Sequence, residues 1–159
     1  MPCYQKSQQF PIKHLTNTQI KKLHMTRHFT LSELTHSETA KRLGIANIPN
    51  QAQCANLRAL AQEVLEPVRI IWGQPLRITS AFRCLELNKA VGGVKNSQHL
   101  LGNAADFTTG SAENNKKLFQ IIAKSCIPYD QLIGEHDFRW IHISHNPNGA
   151  NRNMKLLIS

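Results

Sequence analysis

Leu57, Leu60, Val64, Val68 and Ile71 recur at three- and four-residue steps between Gln51 and Trp72, which predicts one long helix with an apolar stripe against a core. Pro67 falls inside that pattern and lacks a backbone N–H, so a kink is expected there. Two short helices come first. Thr30-Leu31-Ser32-Glu33 has capping-box form, and Ser37 is placed to cap a second helix through Arg42 that Gly44 stops. Leu76-Arg77-Ile78-Thr79-Ser80 alternates as a strand, Asp106 opens a strand-like run through Thr109, and Ser111 to Lys124 is again amphipathic and helical. Tyr129 to Ile133 and Trp140 to Ser144 read as two strands joined by Gly134-Glu135-His136-Asp137-Phe138-Arg139. Helices followed by strands with helices between them predict an α+β fold: a single domain with one antiparallel sheet flanked by helices.

With 159 residues, 41% of them apolar, the chain is long enough to bury one substantial core. No apolar run approaches the length of a membrane span. The first 28 residues lack the continuous apolar segment and small-residue cleavage site of an export signal, so synthesis in the cytoplasm without a signal peptide is expected. Charge changes this picture at one end. Of the net +9, five charges come from Lys6, Lys13, Lys21, Lys22 and Arg27 with no acid among residues 1–28, which leaves the rest at +4. Residues 1–24 are therefore expected to be a disordered basic extension, and 25–159 the folded domain. That arm is the sole support for a nucleic-acid partner; aromatics are only 6% and no recognition motif is present, so none is expected. Cys3, Cys54, Cys84 and Cys126 are scattered with no C-x-x-C pair, which predicts free thiols in place of disulfides or a thiolate metal site.

Chemistry concentrates in Ser97-Gln98-His99-Leu100-Leu101-Gly102-Asn103-Ala104-Ala105-Asp106. His99 and Asp106 stand seven residues apart, too far for adjacent helical turns, so the chain between them must turn, and Gly102 allows the backbone angles a turn needs. Asp106 is expected at a strand end. A second imidazole follows in Trp140-Ile141-His142-Ile143-Ser144. Two imidazoles and one carboxylate form the protein ligand set of many hydrolytic zinc sites. Taken alone, a strand histidine beside a tryptophan is more often packed than ligating.

Ser97, His99, Gly102, Ala104 and Asp106 reproduce the S-x-H-x-x-G-x-A-x-D motif, and the chain here resembles the zinc D-Ala-D-Ala carboxypeptidase family. That family also contains phage endolysins cutting L-Ala-D-Glu bonds and shares its fold with the hedgehog signalling domain. Further landmarks in family order are Phe29 to Leu34, Asn47-Ile48-Pro49, Thr79-Ser80-Ala81-Phe82-Arg83, Asn88, Val91-Gly92-Gly93, Asp130-Gln131-Leu132-Ile133 and Trp140 to Ser144, spanning about Phe29 to Arg152. The resemblance implies one Zn2+ per chain on His99, Asp106 and His142. It implies that Arg83, where family members carry S-G-Y-R, stabilises a developing oxyanion or clamps a substrate carboxylate. Ser97 either orients His99, contacts substrate or caps the local turn.

The family's general base departs from pattern, because the position three residues before the last zinc histidine is Arg139, which cannot accept a proton. In a hairpin with a four-residue loop Glu135 pairs with Trp140 and shares its face with His142, making Glu135 the expected base, with Asp137 and His136 as substitutes. The resemblance thus implies a zinc peptidase, a hydrolase of peptidoglycan stem peptides of D,D-carboxypeptidase, endopeptidase or L-Ala-D-Glu endolysin type. Such a protein is expected to be a monomer and, if a phage-type lysin, to act at the bacterial cell wall. The alternative is a catalytically inactive zinc or cell-wall binding module on the same fold, for which Arg139 argues.

Overall fold

A computed structural model describes Thr16, Gln19 and residues 23–159 of the chain. The expected basic extension, 1–24, lies outside the described residues save for Thr16, Gln19, Leu23 and His24. The last two already join the fold: Leu31 donates its N–H to the Leu23 carbonyl at 2.8 Å, and His24 forms a β-bridge with Thr30.

Side chains at the helix starts determine where the first elements begin. Thr30 accepts from the Glu33 N–H to open α1 (Leu31–Thr35), and Ser37 accepts from Ala40 to open α2 (Glu38–Leu43), which Gly44 ends in the left-handed region. Asn50 and Gln53 form a reciprocal capping box at α3 (Gln51–Leu60). The expected long helix does continue to Trp72, but through a π-helical segment, Ala61–Leu65, into α4 (Glu66–Trp72). Pro67 then lies in the first turn of α4, directly after the wider π turn, which is where the regular helical bonding is interrupted. The extra residue per turn also rotates the apolar stripe. Leu57, Leu60, Val64, Leu65 and Val68 are fully buried, whereas Ile71 is 43% exposed.

The sheet contains β1 (Arg77–Ser80), β2 (Ala104–Thr108), β3 (Gln131–Glu135), β4 (Trp140–Ser144) and β5 (Met154–Ile158) in the order β1-β2-β4-β3-β5. All neighbours are antiparallel except β5, which runs parallel to β3 and was not foreseen. Its Leu156, Leu157 and Ile158 run consecutively, without the alternation that marks a half-buried strand. The short α5 (Leu85–Ala90) was also unforeseen; α6 (Ala112–Lys124) falls where its periodicity puts it.

One face of the sheet, with Ala105, Phe107, Leu132, Ile141 and Ile143, packs against Leu57, Leu60 and Val64 of the long helix and Leu118 and Ile122 of α6. Each fully buried side chain of this size contributes roughly 1.5–3 kcal/mol. Because strand side chains alternate, fixing these residues inward turns Asp106 and His142 to the other face. In the cross-strand register Ser80 lies opposite Asp106, Asp106 opposite His142, and His142 opposite Ile133. The functional site grows on this row. Asp106 sits in the middle of β2, two residues inside the strand, and not at a strand end as expected.

Candidate functional site

His99 is carried by a single 3-10 turn, Gln98–Leu101, that Ser97 caps by accepting the His99 N–H at 3.3 Å. Gly102 ends the turn at φ +74°, and a Cβ there would lie 2.7 Å from the Gln53 carbonyl oxygen. Glycine is needed twice over, for the dihedral and for the close approach to α3. That helix in turn holds the 3-10 turn, since Gln53 and Asn56 donate to the Leu100 and Leu101 carbonyls, each at 2.9 Å.

The His99 ring is buried; its Nδ1 donates to the Ala81 carbonyl at 2.6 Å, and its Nε2 lies 3.3 Å from Asp106 Oδ1. From the opposite side His142 places Nδ1 2.8 Å from the same oxygen, and the two rings meet edge to face with centroids 5.2 Å apart. Arg83 donates from one terminal nitrogen to Asp106 Oδ2 at 2.9 Å and from Nε to Ser80 Oγ at 2.8 Å. Burial by itself would raise the Asp106 carboxyl pKa; the charge of His99 and hydrogen bonds from His142 and His99 outweigh it and hold the group well below the usual carboxylate range. The carboxylate is therefore ionised at neutral pH. The donor atoms of His99, Asp106 and His142 all lie within 4.8 Å of one another and form the one such group of three among the described residues. Two nitrogens and a carboxylate oxygen, with one imidazole set by a backbone carbonyl and the carboxylate braced by a guanidinium, fit a catalytic zinc ion with a position left open.

The model of the peptidase M15 family matches residues 27–144, which span every residue of this cluster. The chain belongs to the peptidase M15 family. A search of curated proteins finds no match. M15 peptidases are zinc-dependent, and among the described residues His99, Asp106 and His142 are those that could hold the ion.

In this M15 chain Glu135 is opposite Trp140, and the intervening loop is four residues, His136–Arg139, as the hairpin register requires. Glu135 and His142 are diagonal neighbours on one face, a separation of roughly 7–8 Å that a glutamate can reach across. The loop is tightly fixed. His136, Asp137 and Phe138 all take positive φ, Asn115 donates to the Phe138 and Arg139 carbonyls at 2.8 and 3.0 Å, and Phe138 folds over Gly134, where a Cβ would lie 2.5 Å from its ring. His136 stacks on Trp140 at 4.8 Å.

Other supporting residues escaped the sequence reading. Asn47 donates to the Phe82 carbonyl and accepts from the Cys84 N–H, bracketing Arg83 from both sides. Asp130 is buried and accepts from Gln98, next to His99, at 2.8 Å and from the Arg152 guanidinium at 2.8 and 2.6 Å. Its backbone N–H donates to the carbonyl of Ser144, two residues beyond His142. Asn47 and Asp130 stood out in the sequence only as family landmarks, because their roles depend on partners 35 and 32 residues away. Of the four expected free thiols, Cys54, Cys84 and Cys126 form no disulfide, and Cys3 lies outside the described residues. Among the described residues no helix is long and apolar enough to cross a membrane.

Proposed function

We propose that this protein is a zinc-dependent peptidase that hydrolyses peptide bonds of peptidoglycan stem peptides. What carries the reading is the convergence of one ligand atom each from His99, Asp106 and His142 within 4.8 Å in a chain of the M15 family. One zinc ion held by these three atoms would polarise the scissile carbonyl and acidify the attacking water. The remaining work falls to the chain's own groups. Arg83 neutralises the second oxygen of Asp106 and also lines a groove, where its remaining donors would meet a substrate carboxylate or the developing oxyanion. Ser97 caps the turn of His99 and lines the groove beside His142, where its hydroxyl can also touch substrate. Glu135 takes the proton of the attacking water and passes it to the leaving amine. We place this activity at the bacterial cell wall, on a monomer made in the cytoplasm, as for a phage-type lysin.

Arg139 in the usual base position favours a second reading, a catalytically silent zinc or wall-binding module. Zinc content of the purified protein together with turnover of isolated sacculi separates the two. About one zinc per chain with released muropeptides supports the peptidase; zinc with binding but no release supports the module; a metal-free active protein excludes both.

A further inference from the structure

One buried imidazole has no task in the chemistry described so far. Ile141 and Ile143 of β4 face the long helix, and the alternation of an extended chain carries His145, one residue past Ser144, to that same face and away from His142. His145 is 2% exposed. Its Nε2 lies 3.2 Å from a carboxylate oxygen of Glu63, and its Nδ1 is buried with no hydrogen-bond partner among the described residues. Asn103 is its cross-strand neighbour. One step past the pairing of Ala104 with Ser144, the His145 N–H donates to the Asn103 carbonyl at 2.8 Å, which sets the two side chains on one face with Cβ atoms roughly 5 Å apart. Asn103 Oδ1 is likewise buried and unpartnered. Two unpaired polar atoms carry a desolvation cost that an apolar side chain at position 145 would avoid, so packing alone does not account for a histidine there.

The place of this ring in the chain gives it leverage. Asn103 directly follows Gly102, which ends the turn of His99, and the Asn103 N–H donates to the Gln98 carbonyl at 3.1 Å. His145 follows His142 by three residues. The ring therefore sits where the two stretches of backbone that carry the imidazole donors come together. Glu63 lies in the π-helical segment, Ala61–Leu65, whose Ala61, Val64 and Leu65 are fully buried. Such turns are rare and recur at functional sites. α3 already grips the His99 turn through Gln53 and Asn56. Glu63 gives the same long helix a second hold, at the end of β4.

We propose that His145 is a positioning residue: Glu63 holds its ring beside Asn103, and this latch fixes the spacing between the His99 turn and the end of β4, hence the geometry in which His99, Asp106 and His142 receive zinc. The ring lies on the opposite face of the sheet from Asp106 and His142 and acts through the backbone of residues 103 and 145. This rests on the zinc reading above.

The test reads zinc affinity by competition with a chromophoric chelator, together with the visible spectrum of Co2+-substituted protein. A wild type that binds no zinc ends the zinc reading, and this proposal with it, before any variant is made. Glu63→Ala is the deciding variant, because the Glu63 side chain is 54% exposed and its loss opens no core. Its zinc affinity is expected to fall about two- to thirtyfold, with a changed cobalt spectrum. Glu63→Gln keeps an oxygen for the imidazole and is expected to recover most of that loss. Adding Glu63→Ala to His145→Gln is expected to cost nothing further, since both remove one contact. Wild-type zinc affinity and an unchanged cobalt spectrum in Glu63→Ala, whatever its urea midpoint, would overturn the proposal and leave the zinc site and the peptidase reading standing. That comparison decides even where His145→Gln does not fold. Additive losses in the double variant overturn it too, because Glu63 then acts without His145.

Discussion

Arg83 holds Asp106 by one oxygen and leaves the other to the imidazoles: its terminal nitrogen is 2.9 Å from Oδ2, while Oδ1 meets His99 and His142 at 3.3 and 2.8 Å. A guanidinium can do this and also reach Ser80 Oγ because its donors form a rigid fork, which a lysine ammonium lacks. Arg83→Lys is therefore expected to keep the fold and lower zinc affinity about 10- to 100-fold, read by competition with a chromophoric chelator. Wild-type affinity in that variant would mean that the imidazoles alone orient the carboxylate.

Gly102 couples the site to the long helix. Alanine there must adopt φ +74° and place its Cβ against the Gln53 carbonyl, so Gly102→Ala is expected to lose about 1–3 kcal/mol of stability in urea titrations. The 3-10 turn is the part that must shift, so zinc affinity is expected to fall with it. Gly44→Ala is the control: its φ is similarly positive but nothing lies within 4 Å of the added Cβ, and no zinc effect is expected.

The parts of this design that were legible share a cause. Helix caps, the Glu135 to Trp140 register and the His99-Gly102-Asp106 spacing are local, set by residues a few positions apart. The proposed ligand role of His142 was visible only through family resemblance, since a histidine between Ile141 and Ile143 is equally consistent with packing. What stayed hidden depends on distant partners. The π segment arises where Pro67 meets a stripe that must stay buried, β5 pairs in parallel with β3 across 18 intervening residues, and Asp130 acquires its role from Gln98 and Arg152. Arg83 was expected to serve substrate, and its bond to Asp106 appears only once β1 and β2 are in register.

The Asp130 carboxylate ties Gln98, beside His99, to Arg152, just before β5, while its backbone bonds Ser144 at the end of β4 and Met154 at the start of β5. Hydrogen bonds from Arg152 hold its pKa down to about 2, against the opposing effect of burial, from an ordinary 3.8. A carboxyl depressed by folding contributes stability that is fully present above its unfolded value and is lost as pH falls through the folded one. The loss is expected between about pH 4 and pH 2. Urea midpoints at pH 5 and at pH 2.5 are expected to differ more for wild type than for Asp130→Asn, which cannot titrate. Equal acid sensitivity in both proteins would show that the network with Arg152 and Gln98 contributes nothing to the linkage.

The base is the step that separates an enzyme from a silent module. A general base typically contributes about two to four orders of magnitude in rate, whereas a solvated hairpin carboxylate contributes almost nothing. Glu135 shares the face of His142, and its direction is fixed because Asn115 and Phe138 lock the hairpin. Asp137 lies within the turn at φ +56°, and His136 is stacked on Trp140. Glu135→Gln keeps size and hydrogen bonding but cannot take a proton. It is expected to retain zinc and melting temperature while kcat on muropeptides falls at least about a hundredfold. Asp137→Asn is expected to be nearly silent. If Glu135→Gln turns over at the wild-type rate while His136→Ala is inactive with zinc bound, the proton passes through the imidazole on Trp140, and Glu135 is only a surface charge at the end of β3.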